Sequence, residues 1–69
     1  MAGAEGTVEG VRRANLSRVL RLVHEEGPLS RASLTEETGL NRSTIGALVG
    51  ELAAAGLVTE TVPDVHYRA

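Results

Sequence analysis

The chain has 69 residues, no cysteine, a single aromatic residue and a formal net charge of −2. That leaves room for one small domain with an aliphatic core and rules out a disulfide staple or a cysteine metal site. No apolar run approaches the ~20 residues that a bilayer span needs, and no basic-then-apolar leader is visible. Neither a membrane nor a secretory route is therefore expected, and a cytoplasmic location is.

Residues 1–10 are rich in Gly and Ala and read as a disordered lead-in to a domain over residues 11–69. A first helix is predicted over residues 12–26. Leu16, Val19, Leu20 and Val23 mark one buried face, and Arg18, Arg21 and Glu25 lie opposite, with Arg21 and Glu25 an i,i+4 pair. Gly27 and Pro28 end this helix, and His24 reads as a surface histidine near its C-terminus. A second helix starts at the N-cap Ser30 and runs to about Thr38. Ala32 and Leu34 are expected to face inward, Leu29 to pack at the start, and Gly39 to end the helix with positive φ. A third helix is capped by Asn41 or Ser43 and reaches about Ala55, with Gly56 as the stop. Ile45, Leu48, Val49 and Leu52 form its core face. Ser43, Ala47, Gly50 and Ala54 lie opposite, with Gly46 and Glu51 at the edges. Residues 57–62 then read as a strand, Pro63-Asp64 as a turn, and residues 65–68 as a short returning strand.

The elements compose a mainly α fold, a three-helix winged helix-turn-helix whose C-terminal β-hairpin is the wing. Two helices that cross closely need particular residues around the turn. With Gly39 as the turn, Leu34 is the apolar residue five positions before it, and Leu40 plugs the core just after it. Ile45 and Leu48 are the buried residues six and nine positions on. Thr35 stands where a smaller residue is preferred.

The run Arg12-Arg13-Ala-Asn15-Leu-Ser-Arg-Val-Leu-Arg-Leu, then Gly27-Pro28-Leu-Ser30-Arg31-Ala, then Thr38-Gly39-Leu-Asn41-Arg42-Ser43-Thr44 resembles the ROK family of repressors. That family joins a DNA-binding domain to a sugar-kinase-like domain. The resemblance covers residues 12–60. It implies a winged helix-turn-helix, similar also to the MarR superfamily in fold, and a role in repressing sugar or other metabolic genes. Where the family commonly continues into a Gly-Arg-Pro segment, this chain has Val62-Pro63-Asp64-Val65-His66-Tyr67. The sequence is thus expected either to stop before an effector domain or to stand without one.

The expected partner is double-stranded DNA, met by Arg12, Arg13, Arg31, Asn41, Arg42, Ser43, Thr44 and Ala47. Arg42 can read guanine, and Asn41 can read adenine or cap the helix. Ser43 and Thr44 can bond phosphate or bases; the plainer view is that Asn41 and Ser43 only satisfy the free N–H groups of the first turn. Ala47 can meet a thymine methyl across a helix thinned by Gly46 and Gly50; the plainer view is glycine tolerated on a solvent face. Arg12 and Arg13 suit backbone phosphate, against a solvated charge pair. Arg31 suits phosphate too, against pairing with a nearby Glu. His66 and Arg68 fall on the wing or in a frayed tail.

Catalysis has no visible constellation, and no cofactor or metal is expected. A different function would be protein docking through the small-residue face of the third helix. The slightly acidic balance favours docking, and the arginines favour DNA. With no long apolar flank to pair copies, a monomer or weak homodimer is expected.

Overall fold

The structure, a computed structural model, describes residues 8–68. Helix α1 (Val8–Glu26) begins before the apolar stripe does. It takes in residues 8–10 of the expected lead-in, and the rest of that stretch lies outside the described residues. Only the later turns of α1 pack on the core, through Val19 and Val23, with Leu16, Leu20 and Leu22 partly buried beside them. The first turns contribute no buried residue, leaving Val8 86% and Val11 53% exposed. A helical segment with no buried face has no periodicity by which to read it.

Gly27, at φ +86°, turns the chain into β1 (Leu29–Ser30), a strand not anticipated from sequence. Ser30 both pairs in the sheet and caps α2 (Arg31–Thr38), its hydroxyl accepting from the Ser33 N–H at 3.0 Å. Leu34 and Thr38 face the core, whereas Ala32, expected inward, is exposed, because it precedes Leu34 by only half a turn. Gly39, at φ +74°, closes α2 by donating its N–H to Thr35 O at 2.9 Å. Thr38 ties the turn from inside: its Oγ1 donates to Leu34 O at 2.7 Å and accepts from Leu40 N–H at 3.2 Å.

Helix α3 (Arg42–Ala54) is capped by Asn41, not Ser43. Asn41 Oδ1 accepts from the Thr44 N–H at 2.8 Å and from Ser43 Oγ at 3.0 Å. Ile45, Leu48, Val49 and Leu52 are buried. Ser43, Ala47, Gly50 and Ala54 are exposed, and Gly46 and Glu51 are half-buried at the edges, as helical spacing predicts. The C-terminus closes in a Schellman motif, with Leu57 N–H bonded to Leu52 O at 2.9 Å and Gly56 N–H to Ala53 O at 3.0 Å. That closure occupies Leu57 and delays β2 to Val58–Thr61.

Val62 and Pro63 turn the chain into β3 (Asp64–Tyr67). The sheet order is β1-β3-β2 with both pairings antiparallel: Val65 lies opposite Leu29 on one side and Glu60 on the other. The second wing strand is therefore the centre of a three-stranded sheet. Val58 and Val65 point from it into the core formed with the helices.

One cross-helix tie was also unforeseen. Arg18, expected on a solvated face, reaches from α1 to the C-terminal carbonyls of α2, Glu37 O at 3.1 Å and Thr38 O at 3.2 Å. A cation there meets orphan carbonyls and the negative end of the helix dipole.

Candidate nucleic-acid interface

Helix α2, the Gly39 turn and α3 place the start of α3 at the surface, where a recognition helix meets a major groove. Within that first turn the polar residues divide into two roles. The side chains of Asn41 and Ser43 are engaged in the cap, and Thr44 is half-buried. Arg42 is exposed and forms no hydrogen bond or ion pair among the described residues. It shares a groove of ≈ 290 Å³ with Arg31, Ala32 and Thr35, between the starts of α2 and α3.

Each of the other three expected arginines faces a carboxylate. Arg12 bonds Glu51, tying α1 to α3, with Arg12 exposed and Glu51 half-buried. Arg13 lies 4.0 Å from Glu9 one turn earlier. Arg31 makes a forked pair with Glu60 on β2, Nε to Oε2 at 2.6 Å and Nη2 to Oε1 at 2.6 Å. That hydrogen bonding, with the attraction between the charges, holds the Glu60 carboxyl below the usual carboxylate range and raises the Arg31 guanidinium. Of the two sequence readings of Arg31, the structure displays the ion pair.

The same arginine passes close to Gly46. A Cβ built there would lie 3.1 Å from Arg31 Nη1, the tip of a flexible side chain that would have to give by a few tenths of an ångström. Gly50 has no neighbour within 4 Å of such a Cβ and is open surface. Ala47 lies on the other flank of α3, in a groove of ≈ 530 Å³ walled by Val8 and Val11 and floored by Leu48. Arg12 and Asn15 line this groove too, so Ala47 and Arg12 share one side of α3 while Arg31 lies on the other.

At the wing, residues 65–67 are paired strand rather than a frayed tail. His66 Nε2 lies 2.7 Å from Thr61 Oγ1 across the hairpin, and Tyr67 packs its ring on His24 of α1, centroids 4.3 Å apart. The turn residues Val62 and Pro63 carry no charge, and the nearest charged residues are the acids Glu60 and Asp64. Arg21 and Glu25, an i,i+4 pair read as a solvated face, are both exposed and form no ion pair with each other. Away from the groove, partial desolvation and then the neighbouring Glu37 and Glu25 carboxylates push the Glu26 carboxyl above its ordinary value.

The Arg31–Glu60 pair was missed as a specific contact because its partners are 29 residues apart and meet only through the sheet register. Gly46 carried a signal, a helix-breaking residue in mid-helix, but not the identity of its neighbour.

The chain matches the family model described as "MarR family" over residues 10–69. It is 40% identical over 50 residues, 72% of its length, to the xylose repressor of Bacillus spizizenii. Over the same extent it is 38% identical to the xylose repressor of Bacillus subtilis. It spans 13% of the length of each of these relatives. No solved structure matches it.

Proposed function

Because the chain belongs to the MarR family, we propose that it reads double-stranded DNA sequence-specifically, as the DNA-binding domain of a transcriptional regulator. The observation that carries this reading is Arg42, exposed and unpaired among the described residues at the start of a helix-turn-helix recognition helix. Similarity to two xylose repressors supports repression as the mode, and sugar or other metabolic genes as the regulated class. Family and geometry favour binding over catalysis. No helix among the described residues is long and apolar enough to cross a membrane.

In this reading Arg42 reaches a base edge, and Ser43, Gly46 and Ala47 are too short to compete with it. Asn41 and Thr44 organise the first turn. Arg12 and Arg13, on well-exposed side chains, supply backbone contacts by exchanging their carboxylates for phosphates. The domain alone acts as a monomer or weak homodimer with modest affinity.

The test begins with selection of a preferred site from a randomised duplex pool, followed by anisotropy titrations of that site and of random duplex. Arg42→Ala should cut the ratio of the two affinities by about 5- to 150-fold, the equivalent of losing ~1–3 kcal/mol of bidentate discrimination. A ratio left intact would move recognition off α3. It would favour the competing role suggested by the short side chains of Ser43, Ala47, Gly50 and Ala54, the docking of a protein partner.

A further inference from the structure

Arg31 lines both the groove beside Arg42 and a second groove of ≈ 480 Å³ that runs to Val62 and Pro63 at the wing turn. It stands at the first position of α2, where helix-turn-helix proteins meet the phosphate backbone. Nevertheless both donors on one edge of its guanidinium are engaged by Glu60, and Nη1 lies 3.1 Å from where a Cβ at position 46 would stand. The forked geometry matches the one a phosphate would offer, so phosphate brings no new kind of bond. Exchange would also leave the Glu60 carboxylate, with only 22% of its side chain exposed, unpaired and facing a polyanion. The pair joins α2 to β2.

We propose that Glu60 is a specificity-determining residue of the DNA interface. By holding Arg31, it withdraws a sequence-independent phosphate contact and leaves discrimination to Arg42. This rests on the DNA-binding reading above. A protein that binds every duplex tightly cannot distinguish its site, because backbone contacts contribute equally to right and wrong sequences. The carboxylate on the wing sets that background.

The experiment measures affinity for the selected site and for random duplex against salt concentration. The proteins are the parent, Glu60→Gln, Arg31→Gln and the double variant, with circular dichroism confirming that each is folded. Glu60→Gln is isosteric, and Arg31→Gln shortens a side chain that is 48% exposed. In Glu60→Gln the freed arginine should bind phosphate. The slope of log affinity on log salt should then steepen by about 0.9, random-duplex affinity at 0.1 M salt should rise about eightfold, and the specific-to-random ratio should fall. Arg31→Gln should leave the parent's slope unchanged. The double variant should return to that same slope, separating phosphate capture by Arg31 from a general loss of negative charge.

A shallower slope in Arg31→Gln alone would mean that Arg31 already leaves Glu60 for phosphate in the complex, and the proposal would be wrong. A Glu60→Gln slope equal to the parent's would overturn it equally. If the parent binds no duplex in a salt-dependent way, the DNA-binding reading itself fails, and this proposal with it.

Discussion

At the scale of single residues, the arginines matter by what they are already bonded to. Arg12 and Arg42 are both exposed, but Arg12 meets a carboxylate through one nitrogen and Arg42 meets none. An exposed single-contact pair contributes ~0–1 kcal/mol, little enough to be exchanged for phosphate. Arg12→Ala should therefore weaken binding to selected and random duplex alike and shallow the salt slope by about 0.9, in contrast to Arg42→Ala. A change in the specific-to-random ratio for Arg12→Ala would give that residue a base contact instead. The position of Arg42 was legible in the sequence, because an N-cap and an apolar period locate the first turn of α3. The restraint on Arg31 was not, because its partner is far along the chain and depends on strand register.

At the scale of elements, the same substitution should act with opposite signs in two places. Gly39 sits at φ +74°, where a side chain strains the backbone although nothing lies within 4 Å of its Cβ position. Gly39→Ala should lower stability by ~1–2 kcal/mol. Gly50 lies inside α3 on open surface, and Gly50→Ala should raise stability by ~0.5–1 kcal/mol. Urea denaturation of both variants checks the pair, and equal effects would refute the placement of one glycine at a turn and the other in a helix. The three helices were readable because glycine stops and apolar periods coincide in them. β1 was unreadable: two residues, Leu29 and Ser30, offer no alternation, and they look like the packing residue and N-cap that they also are. The early start of α1 escaped for a related reason, since Val8 and Val11 belong to a helix but to no buried stripe.

At the scale of the whole molecule, nine aliphatic side chains, all Val, Leu or Ile, make up the buried core among the described residues. A core in so short a chain supplies about 3–5 kcal/mol. Leu48 is 3% exposed, and Leu48→Ala should remove ~2–5 kcal/mol, leaving much of the protein unfolded at 25 °C. A melting curve that matches the parent's would take Leu48 out of the core.

Two carboxylates should give stability opposing dependences on pH. Glu60 titrates below its unfolded value, so its contribution is present at neutral pH and is lost as pH falls through its folded value. Glu26 titrates above its unfolded value, so its favourable contribution is full only in acid and is lost as pH rises through its folded value. Glu26→Gln should accordingly raise the melting temperature near pH 7 and not near pH 3. Glu60→Gln should lower it near pH 7 and make no difference once the carboxyl is protonated. A pH-independent effect of either substitution would count against the shifts.

The order of strands carries a consequence for how the chain is made. Synthesis delivers α1 and then β1, next the helices α2 and α3, then β2, and β3 after them, yet β3 is the strand to which both others pair. While the polypeptide is emerging, Leu29 and Val58 have no sheet to join, and the helices can assemble only on an unfinished floor. Both ladders should form together once residues 64–67 are available, the β2–β3 hairpin closing locally and β1 joining it from about half the chain away. A released polypeptide ending at Thr61 should accordingly show helical protection from hydrogen exchange and none at the strands, and extension through Tyr67 should restore both edges at once.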